Sequence, residues 1–495
     1  MEHNRNRVLS EIRAAIRERR WPDAKELAFR LVAMNPIHPQ GWLSLAEVYA
    51  LAGKPKSARL AADRGAMLDP EGIWHERFAL RPAADVTLDE APDEAPDDTL
   101  LRALRVPRKT VAAAIIAKDE ERCIARCLRS LEGAVDEIVL LDTGSSDRTV
   151  DIASQFERVS IYRTTWKDSF AAARNEAMKY IRSDWVLWID ADEWLHPEDR
   201  EQVRLAAGLY DSLPFPAVLQ VWHLNRIGDE VVDDFSQSRM FALRHDLRYW
   251  GRIHNQIGTA DAMFPEEPII RRKTRIRLYH DGYDPAIVEK KRKSGRAMHL
   301  LRLCMKEEPE NPMWPMYLGR ELFSRRRFGK AKDAFAAALK LAERRQGFSR
   351  VTEIRLFLVR IAMAQEDWKE AERWCERMLE EAPDFPDAHY YLAQALIMQA
   401  KKRFREAETF AIGAAERAKT YRGTVAADRS IRDWRAPVLL ADLAVHRGKL
   451  AEARAIYRAY AKKAGTHEGA VKKKLAFIER QRKKLEQAGR APKPE

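Results

Sequence analysis

Apolar runs of strand length alternate with segments of helical spacing between residues 110 and 195, and this alternation limits the fold more than any other feature. Strands that alternate with helices predict an α/β domain with a mainly parallel sheet and right-handed crossovers. Ligands of such sheets collect beyond the carboxyl ends of the strands. The polar residues that follow each apolar run are therefore candidates for a binding site.

The fourth apolar run, residues 185–189, is followed directly by Asp190, Asp192 and Glu193. Side chains alternate along an extended chain, so Asp190 and Asp192 share one face. Two acidic oxygen donors on one face suit a hard divalent cation such as Mg²⁺ or Mn²⁺, which would in turn hold a diphosphate. The simpler interpretation is a solvated strand end that enters a turn, and an isolated pair of aspartates does not separate the two.

The three preceding strands also end in polar clusters, at residues 118–121, 142–147 and 166–175. Gly144 allows a tight turn, and Ser145 or Ser146 is expected to cap the helix that begins near Arg148. Asp142 is then expected to point into the cleft. Their order along the chain predicts that all four clusters lie at one edge of the sheet.

Helical repeats are predicted on both sides of this region. Asn35-Pro36 and Asp69-Pro70 end two helical patterns 34 residues apart, with Gly53 at the turn between two helices, and this period resembles the tetratricopeptide repeat. From about residue 289 onward, one phrase recurs that is expected to open the second helix of each pair. It begins at Phe328, Trp368, Phe404 and Leu450. Stacked helix pairs form solenoids, which usually bind proteins.

These patterns predict five segments, and a chain of 495 residues is long enough for several domains. Seven Asp or Glu and no Lys or Arg within residues 83–99 indicate a linker. The predicted segments are helical repeats at 1–80, an acidic Pro-containing linker at 81–108, a catalytic domain at 109–288, a helical solenoid at 289–465, and a basic helix or tail at 466–495.

Composition places the chain among folded proteins without a membrane span. It is 46% hydrophobic and 33% charged, and no apolar stretch is long enough to cross a bilayer. The N-terminus lacks a signal-peptide core, and only four scattered cysteines occur, so a cytoplasmic location is expected. The net charge of +13 is concentrated in the basic stretch 271–296 and in the tail, which favours anionic or phosphate-rich partners.

Residues 110–195 resemble family 2 glycosyltransferases, which are inverting enzymes with the A-type nucleotide-diphospho-sugar fold. The resemblance rests on four phrases in order, at residues 115–121, 136–147, 170–175 and 184–193. Two later phrases, at residues 251–257 and 280–283, fit a subgroup linked to tetratricopeptide repeats. That subgroup includes bacteriocin peptide S-glycosyltransferases, and lipopolysaccharide-core glucosyltransferases are similar to it.

The resemblance implies a nucleotide-diphospho-sugar donor, best matched by a UDP-sugar, and it gives each site residue a role. The segment Lys118, Asp119 and Glu120 would line the base pocket, Asp142 would bond the base beside Gly144, and Arg174 would lie near the diphosphate. Asp192 would ligate the metal, and Asp190 would contact the ribose or the metal shell. His280 ends a strand pattern and is a candidate third metal ligand, and Lys291 with its basic neighbours could cover the phosphates.

The sequence does not identify the general base. An inverting transfer needs a group that takes the acceptor proton. In the related subgroup a Glu commonly follows the His of this phrase, whereas here Asn255 follows His254. His254 is ranked first because imidazole titrates near neutral pH, and Glu193, Asp233 and Asp234 remain alternatives. Trp222, Tyr249 and Trp250 form either an acceptor platform or part of the core.

The sequence therefore predicts a glycosyltransferase that moves a sugar onto an acceptor nucleophile with inversion, using Mg²⁺ or Mn²⁺. The acceptor is a protein or peptide, a glycan, or a modified base in DNA. The alternative is a catalytically inactive repeat scaffold for protein assembly, which the Asn255 substitution invites. Charge alone would support a nucleic-acid-binding protein, but no recognised binding module accompanies it.

Overall fold

The computed structural model describes residues 2–72, 95–227, 230–263, 269–281, 295–344, 348–420 and 430–488. These residues fall into two compact units, Met1–Tyr317 and Leu318–Glu495. The first unit contains the N-terminal helices and the β-sheet. The predicted domain boundary at residue 288 stays a prediction, because the segment around it lies outside the described residues.

Four helices begin the first unit: α1 (Glu2–Arg17), α2 (Trp21–Met34), α3 (Pro39–Leu51) and α4 (Pro55–Leu68). Proline occupies the first or second position of α2, α3 and α4, where its missing N–H costs nothing. Gly53 has a φ of +73° between α3 and α4, so the turn predicted there is present. Trp42, Leu45 and Ala61 are buried between the helices.

Part of the predicted linker 81–108 is helical. Helix α5 (Asp98–Leu104) begins at Asp97, whose carboxylate accepts hydrogen bonds from the backbone N–H groups of Thr99 and Leu100. Asp97 also pairs with Lys25 at 3.0 Å, and Leu100 is fully buried. The acidic composition gave no sign of this short helix, so the linker prediction is wrong for residues 98–104. Residues 73–94 lie outside the described part of the chain.

The described residues of the first unit then form eleven strands. They are β1 (Val111–Ala117), β2 (Glu137–Asp142), β3 (Val159–Arg163), β4 (Trp185–Trp188), β5 (Glu193–Leu195), β6 (Ala217–Ile227), β7 (Glu230–Asp234), β8 (Ser238–Ala242), β9 (Arg248–Trp250), β10 (Gln256–Gly258) and β11 (Ile270–His280). Nine of these described strands form one sheet in the order β3-β2-β1-β4-β8-β6-β11-β5, with β7 beside β6. Strands β9 and β10 form a separate antiparallel pair.

The sheet is parallel in its first half and mixed in its second. Strands β1 to β4 run parallel, as predicted, which brings their carboxyl ends to one edge. Strand β8 then pairs antiparallel with both β4 and β6, and β11 pairs antiparallel with β5. Strands β6 and β11 pair parallel with each other, so the expected parallel order is interrupted by β8 and returns beyond it.

Helices cover the parallel half of the sheet: α6 (Ile124–Leu131), α7 (Thr149–Ala153), α8 (Phe170–Met178) and α9 (Arg200–Asp211). Strand β1 is buried on both faces, because Ala113 and Ile115 join one core cluster and Ala114 joins the other. All four cysteines of the chain are buried, as expected of core thiols. Helix α10 (Arg296–Glu307) follows the sheet.

Helix α11 (Met313–Ser324) crosses the boundary between the units, and the second unit is otherwise helical. Its helices are α12 (Phe328–Glu343), α13 (Val351–Ala364), α14 (Trp368–Glu381), α15 (Pro386–Thr420), α16 (Ala436–His446), α17 (Leu450–Tyr460) and α18 (Glu468–Ala488). None of the described helices is both long and apolar enough to cross a bilayer.

The recurring phrase opens a helix at Phe328, Trp368 and Leu450, as predicted. At each of these places a residue with positive φ precedes the helix. Phe404 is the exception, because it lies inside the 35-residue helix α15. No proline or glycine interrupts that helix between Pro386 and Gly413, so nothing in the sequence ends it before Phe404.

Candidate active site

The loops after β1 and β2 are joined by hydrogen bonds at the predicted edge of the sheet. The Asp119 carboxylate accepts from the Ser146 backbone N–H at 2.7 Å, and the Asp119 N–H donates to the Ser145 hydroxyl at 3.0 Å. The Glu120 N–H donates to the Thr149 hydroxyl at 2.7 Å. Hydrogen bonds from Ser146 hold the pKa of Asp119 below its ordinary value. Two loops distant in sequence thus form one wall.

Asp142 is buried at the base of this wall. Its carboxylate accepts from the backbone N–H groups of Gly144 at 3.3 Å and Ser145 at 3.0 Å. Gly144 has a φ of +105°, a conformation that other residues rarely adopt. Asp142 therefore shapes its own loop, and its predicted bond to a nucleotide base stays a prediction.

The predicted serine cap on α7 is wrong. The Thr149 N–H at the start of that helix donates to the Asp147 carboxylate at 2.9 Å. Both serines bond the neighbouring loop at Asp119 instead. Lys118 next to them is exposed to solvent.

Residues 190–193 form a tight turn after β4. The Glu193 N–H donates to the Asp190 carbonyl at 2.9 Å, and the Asp190 N–H donates to the Glu193 carboxylate at 2.8 Å. These reciprocal bonds fix the backbone between the two predicted ligand positions. Asp192, in the middle of the turn, is mostly buried.

Two arginines hold Asp190. Arg174 donates to one carboxylate oxygen at 3.1 Å and Arg239 to the other at 2.7 Å. Burial by itself would raise the pKa of Asp190, but the positive charges of Arg239 and Arg174 hold it well below its ordinary value. Both oxygens of Asp190 are thus engaged by cations, which leaves it badly placed to ligate a metal.

Glu193 is 3% exposed and fully engaged. Besides the Asp190 N–H, its carboxylate contacts Arg239 at 2.9 Å and the His223 imidazole Nε2 at 2.9 Å. A general base needs access to the acceptor proton. The geometry therefore does not support Glu193 as the base, and gives it the task of positioning the turn.

Asp192 and His280 face each other across the cleft. His280 Nε2 lies 3.6 Å from an Asp192 carboxylate oxygen, and His280 Nδ1 lies 3.0 Å from the Asn225 side-chain oxygen. Burial lowers the pKa of His280, but its contact with Asp192 outweighs this effect and raises it. Asn225 as an acceptor orients the imidazole so that Nε2 faces Asp192.

These two side chains fit a divalent cation. Ligand atoms bound to one ion at about 2.1 Å and at right angles lie about 3 Å apart, close to the observed separation. Among the residues that the structure describes, no group of three or more His, Cys, Asp or Glu is placed to hold a metal. The predicted set of Asp190, Asp192 and His280 is thus reduced to a pair. Mg²⁺ commonly takes one or two protein ligands and completes its shell with substrate phosphates and water.

His254 lies at the rim of the same site. It is exposed, has a φ of +52°, and stacks on Tyr317 with ring centroids 4.0 Å apart. Its neighbour Asn255 accepts from Arg174 at 3.2 Å and also bonds the Gly251 carbonyl. Asn255 thus anchors one of the arginines that hold Asp190.

The other base alternatives are engaged in local hydrogen bonds, and one member of the predicted aromatic platform is buried in the core. Asp233 accepts from the Trp222 indole N–H at 3.1 Å, and Asp234 accepts from the backbone N–H of Ser236 at 2.7 Å. Tyr249 is buried against Trp188, so it belongs to the core and not to an acceptor platform. Lys291 lies outside the described residues.

The basic stretch at residues 271–296 is partly neutralised where the structure describes it. Lys273 pairs with Glu71, and Arg277 pairs with Asp199 at 2.7 Å and Glu198 at 2.9 Å. These pairs reduce the positive charge that the sequence had suggested for phosphate binding.

The model described as glycosyl transferase family 2 matches residues 113–209, which span β1 to α9 and contain the aspartate turn. Residues 113–209 thus carry the sequence pattern of glycosyltransferase family 2. Tetratricopeptide repeat models match residues 9–72, 322–397 and 362–426, on both sides of this glycosyltransferase domain. The fold is thus an A-type glycosyltransferase domain with tetratricopeptide repeats at both flanks.

Two curated relatives match the glycosyltransferase domain and its surroundings. The prophage-derived glycosyltransferase SunS of Bacillus subtilis is 31% identical over 214 residues, which is 43% of this chain and 49% of SunS. A TPR repeat-containing protein of Synechococcus elongatus is 30% identical over 206 residues, 41% of this chain and 49% of that protein. The chain therefore spans about half the length of these relatives.

Among solved structures, TarS residues 1–349 of S. aureus are similar to 56% of this chain and 92% of their own, at 13% identity and a TM-score of 0.31. This similarity is too low to add to the family assignment.

Sequence reasoning missed three residues of the glycosyltransferase site: Arg239, His223 and Asn225. Arg239 lies in the apolar strand β8, where a single arginine between buried residues was the available signal. His223 and Asn225 alternate with apolar or aromatic residues in β6, which indicates a polar face. Their partners lie 30 to 55 residues away, so the sequence did not identify them.

Proposed function

We propose that the chain transfers a sugar from a nucleoside-diphospho-sugar, best matched by a UDP-sugar, to an acceptor nucleophile with inversion. The observation that carries the proposal is the Asp192–His280 pair, whose 3.6 Å separation and oxygen–nitrogen donor set fit one divalent cation. Mg²⁺ or Mn²⁺ bound there would stabilise the negative charge of the departing nucleoside diphosphate.

The donor would lie along the wall formed by the loops after β1 and β2. Lys118, Asp119 and Glu120 line that wall, and the buried Asp142 sets its curvature through Gly144. Arg174 adds a fixed positive charge beside Asp190. Because these groups are already held by hydrogen bonds, they need little rearrangement when the donor binds.

His254 remains the proposed general base. It is exposed at the rim, and its stacking on Tyr317 holds the ring in one orientation. Through Asn255 it is joined to Arg174 and thus to the aspartate turn. In this role the imidazole takes the proton of the acceptor as the acceptor attacks the sugar carbon from the side opposite the diphosphate.

The experiment is calorimetric titration of UDP in the presence of Mn²⁺. Asp192→Asn removes a charged ligand, and we expect affinity for UDP with Mn²⁺ to fall about 100-fold or more, since even outer partners of metal ligands change metal affinity by about 10- to 100-fold. Asp151→Asn is the control, because Asp151 is an exposed aspartate on α7. Equal affinity of both variants would refute the proposed cation site.

The second candidate, an inactive repeat scaffold, is favoured only by Asn255 at the position where a base was expected. Slow release of UDP from UDP-sugars in the presence of metal separates the two, because a scaffold would not hydrolyse a donor. The tetratricopeptide repeats are proposed to hold a protein partner or a protein acceptor in either case.

A further inference from the structure

Strand β7 (Glu230–Asp234) pairs with β6 and, within the described residues, with no other strand. Strand β11 pairs with one edge of β6 along its length. On the other edge, β8 pairs with β6 at residues 218–220 and β7 pairs with it at residues 223–227. Strands β7 and β8 are therefore successive neighbours on the same side of β6.

Strand β8 is covered on its outer side by β4, but β7 is not. The β4–β8 pairing runs from Trp185 to Leu187, and the chain then turns at residues 190–193. Within the described residues β7 pairs with β6 alone. Its outer backbone N–H and C=O groups thus face the space beyond the carboxyl end of β4, which is the side of the proposed donor site.

The side chains of β7 suit strand addition. Val231 and Val232 are 53% and 46% exposed, and valine favours extended structure. Natural edge strands are commonly protected by lysine, proline or a covering segment. Strand β7 carries no lysine or proline, but three of its five residues are the carboxylates Glu230, Asp233 and Asp234, so its edge favours a positively charged segment over a second acidic strand.

A short series of contacts joins this edge to the proposed metal ligands. The Asn225 side-chain N–H donates to the Val232 carbonyl at 3.3 Å, and the Asn225 oxygen contacts His280 at 3.0 Å. His280 lies 3.6 Å from Asp192. A segment that paired with β7 would therefore lie about one strand spacing, roughly 4.8 Å, beyond Val232, the β7 residue that contacts Asn225.

A cleft of about 600 Å³ lies next to the same strand. Its lining includes Trp222 and Phe235, stacked with centroids 5.1 Å apart. Its charged side chains are Glu71, Asp233, Asp234 and Lys273, of which three are carboxylates. Lys273 pairs with Glu71 and lies 5.4 Å from the centre of the Phe235 ring, so Asp233 and Asp234 supply the remaining negative charge of the cleft. These two carboxylates suit the head of a lysine or arginine side chain whose stem packs on Trp222.

We propose that the outer edge of β7 is the acceptor site, and that it takes an extended polypeptide segment as an additional strand, with a basic side chain in the cleft. This inference rests on the proposed function and names its acceptor class. Main-chain hydrogen bonds supply affinity in strand addition, and pockets for alternate side chains supply specificity. A glycan has no regular series of N–H and C=O groups to match the edge.

The test uses two pools of synthetic 12-residue peptides, each peptide containing Ser, Thr and Cys, with and without Lys or Arg. Each pool is incubated with UDP-sugars and Mn²⁺, and sugar addition is read as a mass shift beside UDP release into water. We expect sugar on peptides of the basic pool. In the double variant Val231→Lys/Val232→Lys, peptide transfer relative to UDP release should fall at least about tenfold, because charge and bulk block the edge.

Leu51→Lys is the matched control, since Leu51 is 51% exposed on α3. Hydrogen exchange gives a readout that is independent of turnover: the basic pool should protect the amides of residues 230–234 in the wild type. Unchanged relative transfer in the double variant, or sugar on oligosaccharides but not on peptides, would overturn the inference while UDP release continues. Absence of any UDP release or transfer by the wild type would overturn the proposed function, and this inference with it.

Discussion

The two sides of the candidate site are built in different ways. On one side, the loops after β1 and β2 are held by side-chain-to-backbone hydrogen bonds such as those of Asp119 and Asp142. On the side of the aspartate turn, Asp190 and Glu193 are held by Arg239, with His223 behind them. The first side joins the exposed Asp119 to the buried Asp142 through local turn chemistry, whereas the second uses charge, with Glu193 and Arg239 buried beside the half-exposed Asp190.

This difference predicts which substitutions lower the stability of the folded protein most. Removing one partner of a buried ion pair leaves the other charge without compensation. An exposed hydrogen bond is replaced by water at small cost. We therefore expect the aspartate turn to tolerate substitution less well than the loops after β1 and β2. Three variants test this expectation, from the largest expected effect to the smallest.

Arg239→Met has the largest expected effect. It leaves Asp190 and the buried Glu193 without their shared cation, and we expect the free energy of unfolding to fall by about 3–5 kcal/mol in urea denaturation. Arg248→Met is the control, since Arg248 pairs with the exposed Asp246 and should cost less than about 1 kcal/mol. If the two variants lose equal stability, the buried charges do not hold the turn.

Gly144→Ala, in the loop after β2, should have an intermediate effect. Its φ of +105° strains any residue with a side chain, at a cost of about 1–3 kcal/mol. Gly133→Ala is matched to it, because Gly133 has a φ of +76° and, like Gly144, nothing close to its missing side chain. We expect both variants to lose stability, but only Gly144→Ala to weaken UDP binding in calorimetry. If Gly133→Ala weakened UDP binding as much, the loop after β2 would have no special role in that binding.

Asp119→Asn should have the smallest effect, and one that depends on pH. The pKa of Asp119 is lowered in the folded protein by hydrogen bonds from Ser146. Its stabilising contribution is therefore present above the ordinary aspartate pKa of about 4 and is lost as the pH falls through the folded-state value. Between about pH 6 and about pH 3 the wild type should lose more stability than the variant, by less than about 1 kcal/mol because Asp119 is exposed. Parallel pH profiles would contradict this.

The parallel strands and the loops that follow them were largely predictable from the sequence. Strands β1, β2 and β4 are uninterrupted apolar runs, and Gly144 and the aspartates follow them within a few residues. The mixed half of the sheet was not predictable, because β6 pairs with β8 and with β11 across long gaps in sequence. The same gap concealed Arg239, which reaches Asp190 from 49 residues away.

The sequence by itself determined which residues end the parallel strands, because burial requires apolar runs and turns require glycine and aspartate at fixed places. It also determined the repeats on both flanks, whose period is local. Only the tertiary structure decided how the carboxylates divide their tasks. Asp190 and Glu193 lie against cations from other strands, and Asp192 is left facing His280, since long-range pairing alone sets which charges meet.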